Sequence, residues 1–123
     1  MMQLITEAPA NRSGIHRKRS PLLVLLPCGP VEPKDLEVLM HTLSGRGMGV
    51  RILGERQVPS DAFNRRRQQY RAGVFLKIAQ AEEGDRVLAV TNYDVYDGNL
   101  NFVFGLAESP GKGAVISLFR LRM

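Results

Sequence analysis

Cysteine is nearly missing from this chain, and tryptophan is missing altogether. The one cysteine, Cys28, has no partner for an internal disulfide, which fits a reducing, cytoplasmic setting. Cys28 reads as a small buried residue rather than a nucleophile. Histidine is scarce too. His16 and His41 are the only two, far apart in the chain. No zinc-finger spacing and no Ser-His-Asp arrangement can be argued from that material. No apolar run is long enough to span a bilayer. The phosphate-cradling spacing G-x-x-x-x-G-K-[ST] is absent, so Ser109-Pro110-Gly111-Lys112-Gly113 reads as a loop.

Acidic residues are outnumbered, with 12 Asp and Glu against 17 Lys and Arg. Much of the excess sits in residues 1–20, where Arg12, Arg17, Lys18 and Arg19 face only Glu7. A basic tail on a nearly neutral body is a small electrostatic footprint, so neither nucleic acid nor a membrane is the expected partner. The tail leads into Leu22–Leu26 in the manner of a secretory leader. That apolar run is short, however, and Pro27 stands before Cys28 where small residues would mark cleavage. Residues 1–20 have no periodicity and read as a disordered basic tail, with 21–123 as one domain.

What is present is an alternation of strand and helix. The continuous apolar run Leu22–Leu26 suits a strand buried on both faces. Pro33 suits a first helical turn, and Leu36, Leu39, Met40 and Leu43 recur at helical spacing before Gly45 and Gly47. Val50–Leu53 gives a second strand and Val87–Val90 a third. Between them Ser60 reads as the N-cap of a longer helix whose stripe is Phe63, Tyr70, Val74, Ile78 and Ala81. Two β-prone runs, Asn99–Ala107 and Gly113–Leu121, follow around a Pro/Gly loop. The predicted fold is α/β: a mixed, mostly parallel five-stranded sheet with two helices and a terminal antiparallel edge hairpin.

The most conspicuous charge run is Asn64-Arg65-Arg66-Arg67-Gln68-Gln69-Tyr70-Arg71. On a helix of 100° per residue, Arg67 falls inside the apolar stripe while Arg65, Arg66 and Arg71 lie outside it or at its rim. A guanidinium there needs a partner, so Arg67 is expected to anchor on Asp94, Asp97 or loop carbonyls. Asp94 and Asp97 themselves lack a neighbouring His, Cys or further acid, which favours turn and cap duty over metal or acid–base work.

Several segments together resemble the archaemetzincin family of zinc metallopeptidases, in the N-terminal half only. They are Leu25–Val31, the pattern Arg67-x-Gln69-Tyr70-x-Ala72, Val87–Glu108 with its Asp94-x-Tyr96 and Leu100–Ala107 motifs, and Gly113–Leu121. The resemblance implies a metzincin-type N-terminal subdomain, and the residues themselves mark Arg67, Tyr70 and Asp94 as the expected structural anchors. It implies an edge strand in which Phe104, Gly105, Leu106 and Ala107 hold an extended peptide through backbone hydrogen bonds. In the full-length family, zinc held by H-E-x-x-H-x-x-G-x-x-H activates water for peptide hydrolysis. No residue here matches a zinc ligand or the catalytic Glu, so no metal or catalytic residue is assigned within the chain.

The expectation is therefore an incomplete, catalytically inactive peptide-holding domain. The alternative is a non-enzymatic α/β protein-binding module that uses the same edge strand. A missing active-site helix would leave apolar sheet uncovered, and the expected partner is then a second copy or the missing C-terminal half.

Overall fold

A computed structural model describes residues 2–3, 22–98, 105–108 and 111–122. The short strand β1 is Met2–Gln3, and β2, Leu22–Pro27, is the continuous apolar run. Helix α1 spans Pro33–Ser44, with Pro33 in its first turn, and β3 spans Gly49–Ile52. Two further short strands follow, β4 at Phe63–Asn64 and β5 at Gln69–Arg71. Helix α2 is Ala72–Gln80, β6 is Arg86–Thr91 and β7 is Val95–Tyr96. The last two strands are β8, Gly105–Glu108, and β9, Gly113–Ser117.

The main sheet runs β1-β8-β9-β6-β2-β3. Strands β3, β2, β6 and β9 are parallel, and β8 pairs antiparallel with β9. These five make the mixed sheet that the sequence predicts. The sixth member, β1, adds to the outer side of β8. It lies within the stretch expected to be a disordered tail; the rest of that tail is outside the described residues.

Strand β2 explains the two-layer core. Its neighbours on both sides leave no edge, and its side chains alternate between faces. Leu23 and Leu25 join Leu36, Val90 and Leu118, with Leu39, Met40 and Leu43 of α1 packed against them. Val24 and Leu26 join Phe75, Leu76 and Ala79 of α2 on the other face. Each such fully buried side chain contributes about 1.5–3 kcal/mol.

The long helix predicted from Ser60 is not formed. Ser60–Ala62 is a 3₁₀ turn, Phe63–Asn64 and Gln69–Arg71 pair as an antiparallel hairpin, and α2 begins only at Ala72. The buried face of α2 is Ala72, Phe75, Leu76 and Ala79, so the stripe of Phe63, Tyr70, Val74, Ile78 and Ala81 is corrected. Gln68 enforces the break: its φ of 58° is the left-handed conformation that ends a helix and closes a turn. The segment after β6 is also more ordered than its turn-like composition suggests. Val95–Tyr96 pairs parallel with Tyr70–Arg71, giving a second, three-stranded sheet β4-β5-β7.

Largely uncovered apolar sheet is not found among the described residues. Both faces carry a helix, and the exposed large apolar side chains are Val38, Phe119 and Leu121.

The turn at Gln68 makes a direct prediction. Gln68→Gly should hold stability or raise it by up to about 1 kcal/mol, because glycine relieves the left-handed conformation. A denaturant melt showing a loss of about 1 kcal/mol, the cost of glycine in a helix interior, would contradict the hairpin.

Candidate functional site

The candidate peptide-holding strand is β8. Its inner side pairs with β9 through Gly105↔Ile116, Leu106↔Val115 and Ala107↔Ala114. Leu106 is buried beneath the strand, against the cluster that α2 completes. On the outer side Ala107 pairs with Gln3 and Glu108 with Met2. Of the four residues expected to hold a peptide, Gly105, Leu106 and Ala107 therefore lie on one strand, and Phe104 lies outside the described residues.

The expected anchors meet in one network centred on Asp94. Its carboxylate accepts Arg120 Nε at 3.0 Å and Arg120 Nη2 at 2.9 Å, a bidentate pair. It also accepts Gln69 Nε2 at 3.0 Å. The backbone carbonyl of Asp94 takes the Tyr70 N–H at 2.8 Å. One residue thus ties β5, the loop before β7 and the segment after β9.

Arg67 enters this network through Gln69, donating from Nε to Gln69 Oε1 at 3.0 Å. Its guanidinium lies 3.9 Å over the Tyr96 ring centroid, within cation–π range. Asn64 supports both groups: its amide donates to Tyr96 Oη at 2.9 Å, and its carbonyl oxygen accepts the backbone N–H groups of Arg66 and Arg67. Arg67 is half-buried in a turn rather than sunk in a helical stripe.

Tyr70 reads as an aromatic hinge between the sheets. Its ring stacks on Tyr93 at 4.2 Å and 14°, and meets Phe63 at 4.9 Å and Phe75 at 6.3 Å. Burial, and then the neighbouring Tyr93, push its hydroxyl pKa upward. Gly29, at φ +73°, lies so close that a Cβ there would sit 2.6 Å from the Tyr93 ring. The Tyr93 carbonyl accepts Ser117 Oγ at 2.6 Å, which joins this aromatic group to β9.

The pattern Arg-x-Gln-Tyr-x-Ala thus has a physical reading. Arg67 stacks, Gln69 bridges, Tyr70 joins the two sheets, and Ala72 is fully buried where α2 begins. Gln69, Tyr96, Asn64 and Arg120 were not singled out as anchors by sequence reasoning. Gln69 and Tyr96 stood inside the quoted motifs and could have been found there. Asn64 and Arg120 also stood in quoted segments, but nothing local pairs them with partners 32 and 26 residues away.

The donor set does not fit a zinc ion. His41 is exposed in the last turn of α1, and Cys28 is buried. Among the described residues no group of three or more His, Cys, Asp or Glu side chains could hold a metal. Burial pushes the Cys28 thiol up to about 11, against a smaller lowering by the Arg56 guanidinium. Among the described residues no helix is long and apolar enough to cross a membrane.

This architecture matches solved structures closely. An archaemetzincin from Archaeoglobus fulgidus, crystallised with malonate, superposes with a TM-score of 0.74 at 33% identity, covering 81% of this chain and 62% of that one. A zinc-dependent peptidase from Methanocorpusculum labreanum superposes at 0.67 and 25% identity, over 80% of this chain and 64% of that one. The class defined by the fold is the α/β domain of these zinc-peptidase structures. In sequence, archaemetzincin from Methanocaldococcus jannaschii is 42% identical over 101 residues, which is 81% of this chain and 55% of that protein. Over the length that it spans, the chain matches the archaemetzincins in sequence and in fold. It spans about half the length of the curated relatives it matches. No protein-family profile matches it.

Two outcomes follow from this geometry. Arg67→Ala should cost at least about 1–2 kcal/mol in a denaturant melt, from the lost stacking and the charged hydrogen bond to Gln69. Arg65→Ala, at an exposed position, should stay within about 0.5 kcal/mol; equal losses would contradict the network. At pH 8 the upward shift of Cys28 cuts its thiolate fraction roughly a hundredfold. A thiol reagent should therefore modify the native chain at least about a hundred times more slowly than the urea-unfolded chain, and similar rates would contradict the burial.

Proposed function

We propose that this domain is the peptide-holding part of an archaemetzincin-type zinc peptidase, with β8 as the ledge that an extended peptide joins. The single observation that carries the reading is the outer side of β8, which takes an added antiparallel strand at Ala107 and Glu108. Strand addition of this kind draws affinity from backbone N–H and C=O groups and needs no particular side chain. The domain itself contributes position and rigidity. Asp94, Arg120 and Ser117 fix the far end of β9, and β9 in turn fixes β8.

In this reading the 123 residues contribute no zinc ligand and do not cut a peptide unaided. The absence of an H-E-x-x-H motif from the sequence, and of any group of three or more His, Cys, Asp or Glu that could hold a metal among the described residues, supports it. The same observations favour a second reading, a binding module that holds a partner's strand without hydrolysis.

The test uses a fluorescent octapeptide of alternating Val and Thr, and its copy N-methylated at alternate amides. The plain peptide should bind, and N-methylation on the paired side should weaken it at least about tenfold, since the ladder bonds are lost. Equal binding of both peptides would overturn the ledge. Dialysis against zinc should leave the chain without stoichiometric metal; tight one-to-one zinc together with peptide cleavage would overturn the assignment of roles.

A further inference from the structure

We propose that the ledge on β8 is occupied in the resting chain by the chain's own N-terminal segment, so that an extended peptide must displace Met2–Gln3 to bind. The inference rests on the reading of β8 as a peptide ledge and adds to it an internal competitor. The observation is the register itself, Gln3 opposite Ala107 and Met2 opposite Glu108, antiparallel, on the side of β8 away from β9. Without β1, β8 would be the outermost strand of that side of the sheet.

The connection is physically feasible. From β1 to β2 the sheet is crossed in four strand steps, through β8, β9 and β6. At about 4.8 Å per step that is roughly 19 Å. Both strands point the same way, because β1 opposes β8, β8 opposes β9, and β9, β6 and β2 are parallel. The link must therefore also travel back along the strands, by about 20 Å for a six-residue strand. Residues 4–21 reach roughly 60 Å when extended, so the span leaves slack.

The strength of the contact suits displacement. Only two residue pairs form, and each backbone hydrogen bond contributes about a fivefold bias in water. Such a strap shields a bare sheet edge from pairing with other chains, the hazard that exposed edges carry. It still yields to a peptide that makes a longer ladder.

The test keeps the full chain. Met2→Pro with Gln3→Pro removes both adjacent N–H groups, whichever of them faces β8. Amide exchange is then followed at residues 105–108, with β6 as the control for an intact fold. The Val/Thr octapeptide is titrated into both proteins. The proposal expects exchange in β8 to rise about fivefold or more in the double-proline chain, β6 to stay unchanged, and octapeptide affinity to rise by a similar factor. A synthetic peptide of residues 1–10 added in trans should restore the protection. Unchanged exchange in β8 overturns the proposal even if the octapeptide binds, and the ledge then stands alone. Raised exchange without octapeptide binding to either protein supports the strap and removes the ledge. Protection of β8 that depends on protein concentration places the strap on a second copy and overturns the internal assignment.

Discussion

The carboxylate of Asp94 holds the two sheets of this domain in register. It lies close to buried, and a carboxylate in that position is costly unless its charge and its lone pairs are all engaged. Arg120 supplies the opposite charge in a bidentate fork, and Gln69 supplies a further donor. Because these partners come from β5 and from beyond β9, satisfying one carboxylate fixes two distant pieces of chain. The Tyr70 N–H bond to the Asp94 carbonyl sets the parallel register of β5 and β7 at the same point. Tyr70, Tyr93 and Phe63 then fill the seam with stacked rings, and Gly29 gives them the space.

From that seam outward the consequences are geometric. Ser117 bonds to the Tyr93 carbonyl, and Leu118 N–H bonds to the Thr91 carbonyl, so the end of β9 is tied to the end of β6. Strand β9 carries β8 on its other side. An antiparallel strand at the rim of an otherwise parallel sheet has an unpaired side, and proteins cover, blunt or use such a side. Here that side is already covered in part by Met2–Gln3. The functional reading of the domain is thus a reading of how one strand edge is presented, with the Asp94 network as its distant support.

The central architecture was legible in the sequence because it rests on long, periodic signals. Leu22–Leu26 could hardly be other than a strand covered on both faces, and Leu36, Leu39, Met40 and Leu43 mark one face of α1 without ambiguity. The segment from Ser60 to Arg71 was misread for a physical reason. Strands of two and three residues are too short to display a period of two, and Phe63, Tyr70 and Val74 fall by chance at helical spacing. Only the left-handed backbone at Gln68 breaks the pattern, and glutamine gives no warning of it. The sequence pointed to Arg67, Tyr70 and Asp94 as anchors, and put Arg67 on a helix where the structure has a turn. It did not point to Arg120 and Asn64, because a hydrogen bond across tens of residues leaves no local trace. Strand β1 was hidden in a stretch with no hydrophobic pattern, since backbone pairing asks little of its side chains.

A double-mutant cycle on Asp94→Asn and Arg120→Gln, read by denaturant unfolding, tests the central claim most directly. The account predicts a coupling energy of at least about 1 kcal/mol, because the two groups form one charge-assisted unit in a largely enclosed site. Additive losses, with coupling below about 0.3 kcal/mol, would mean that Asp94 does not hold the sheets together and would contradict the account.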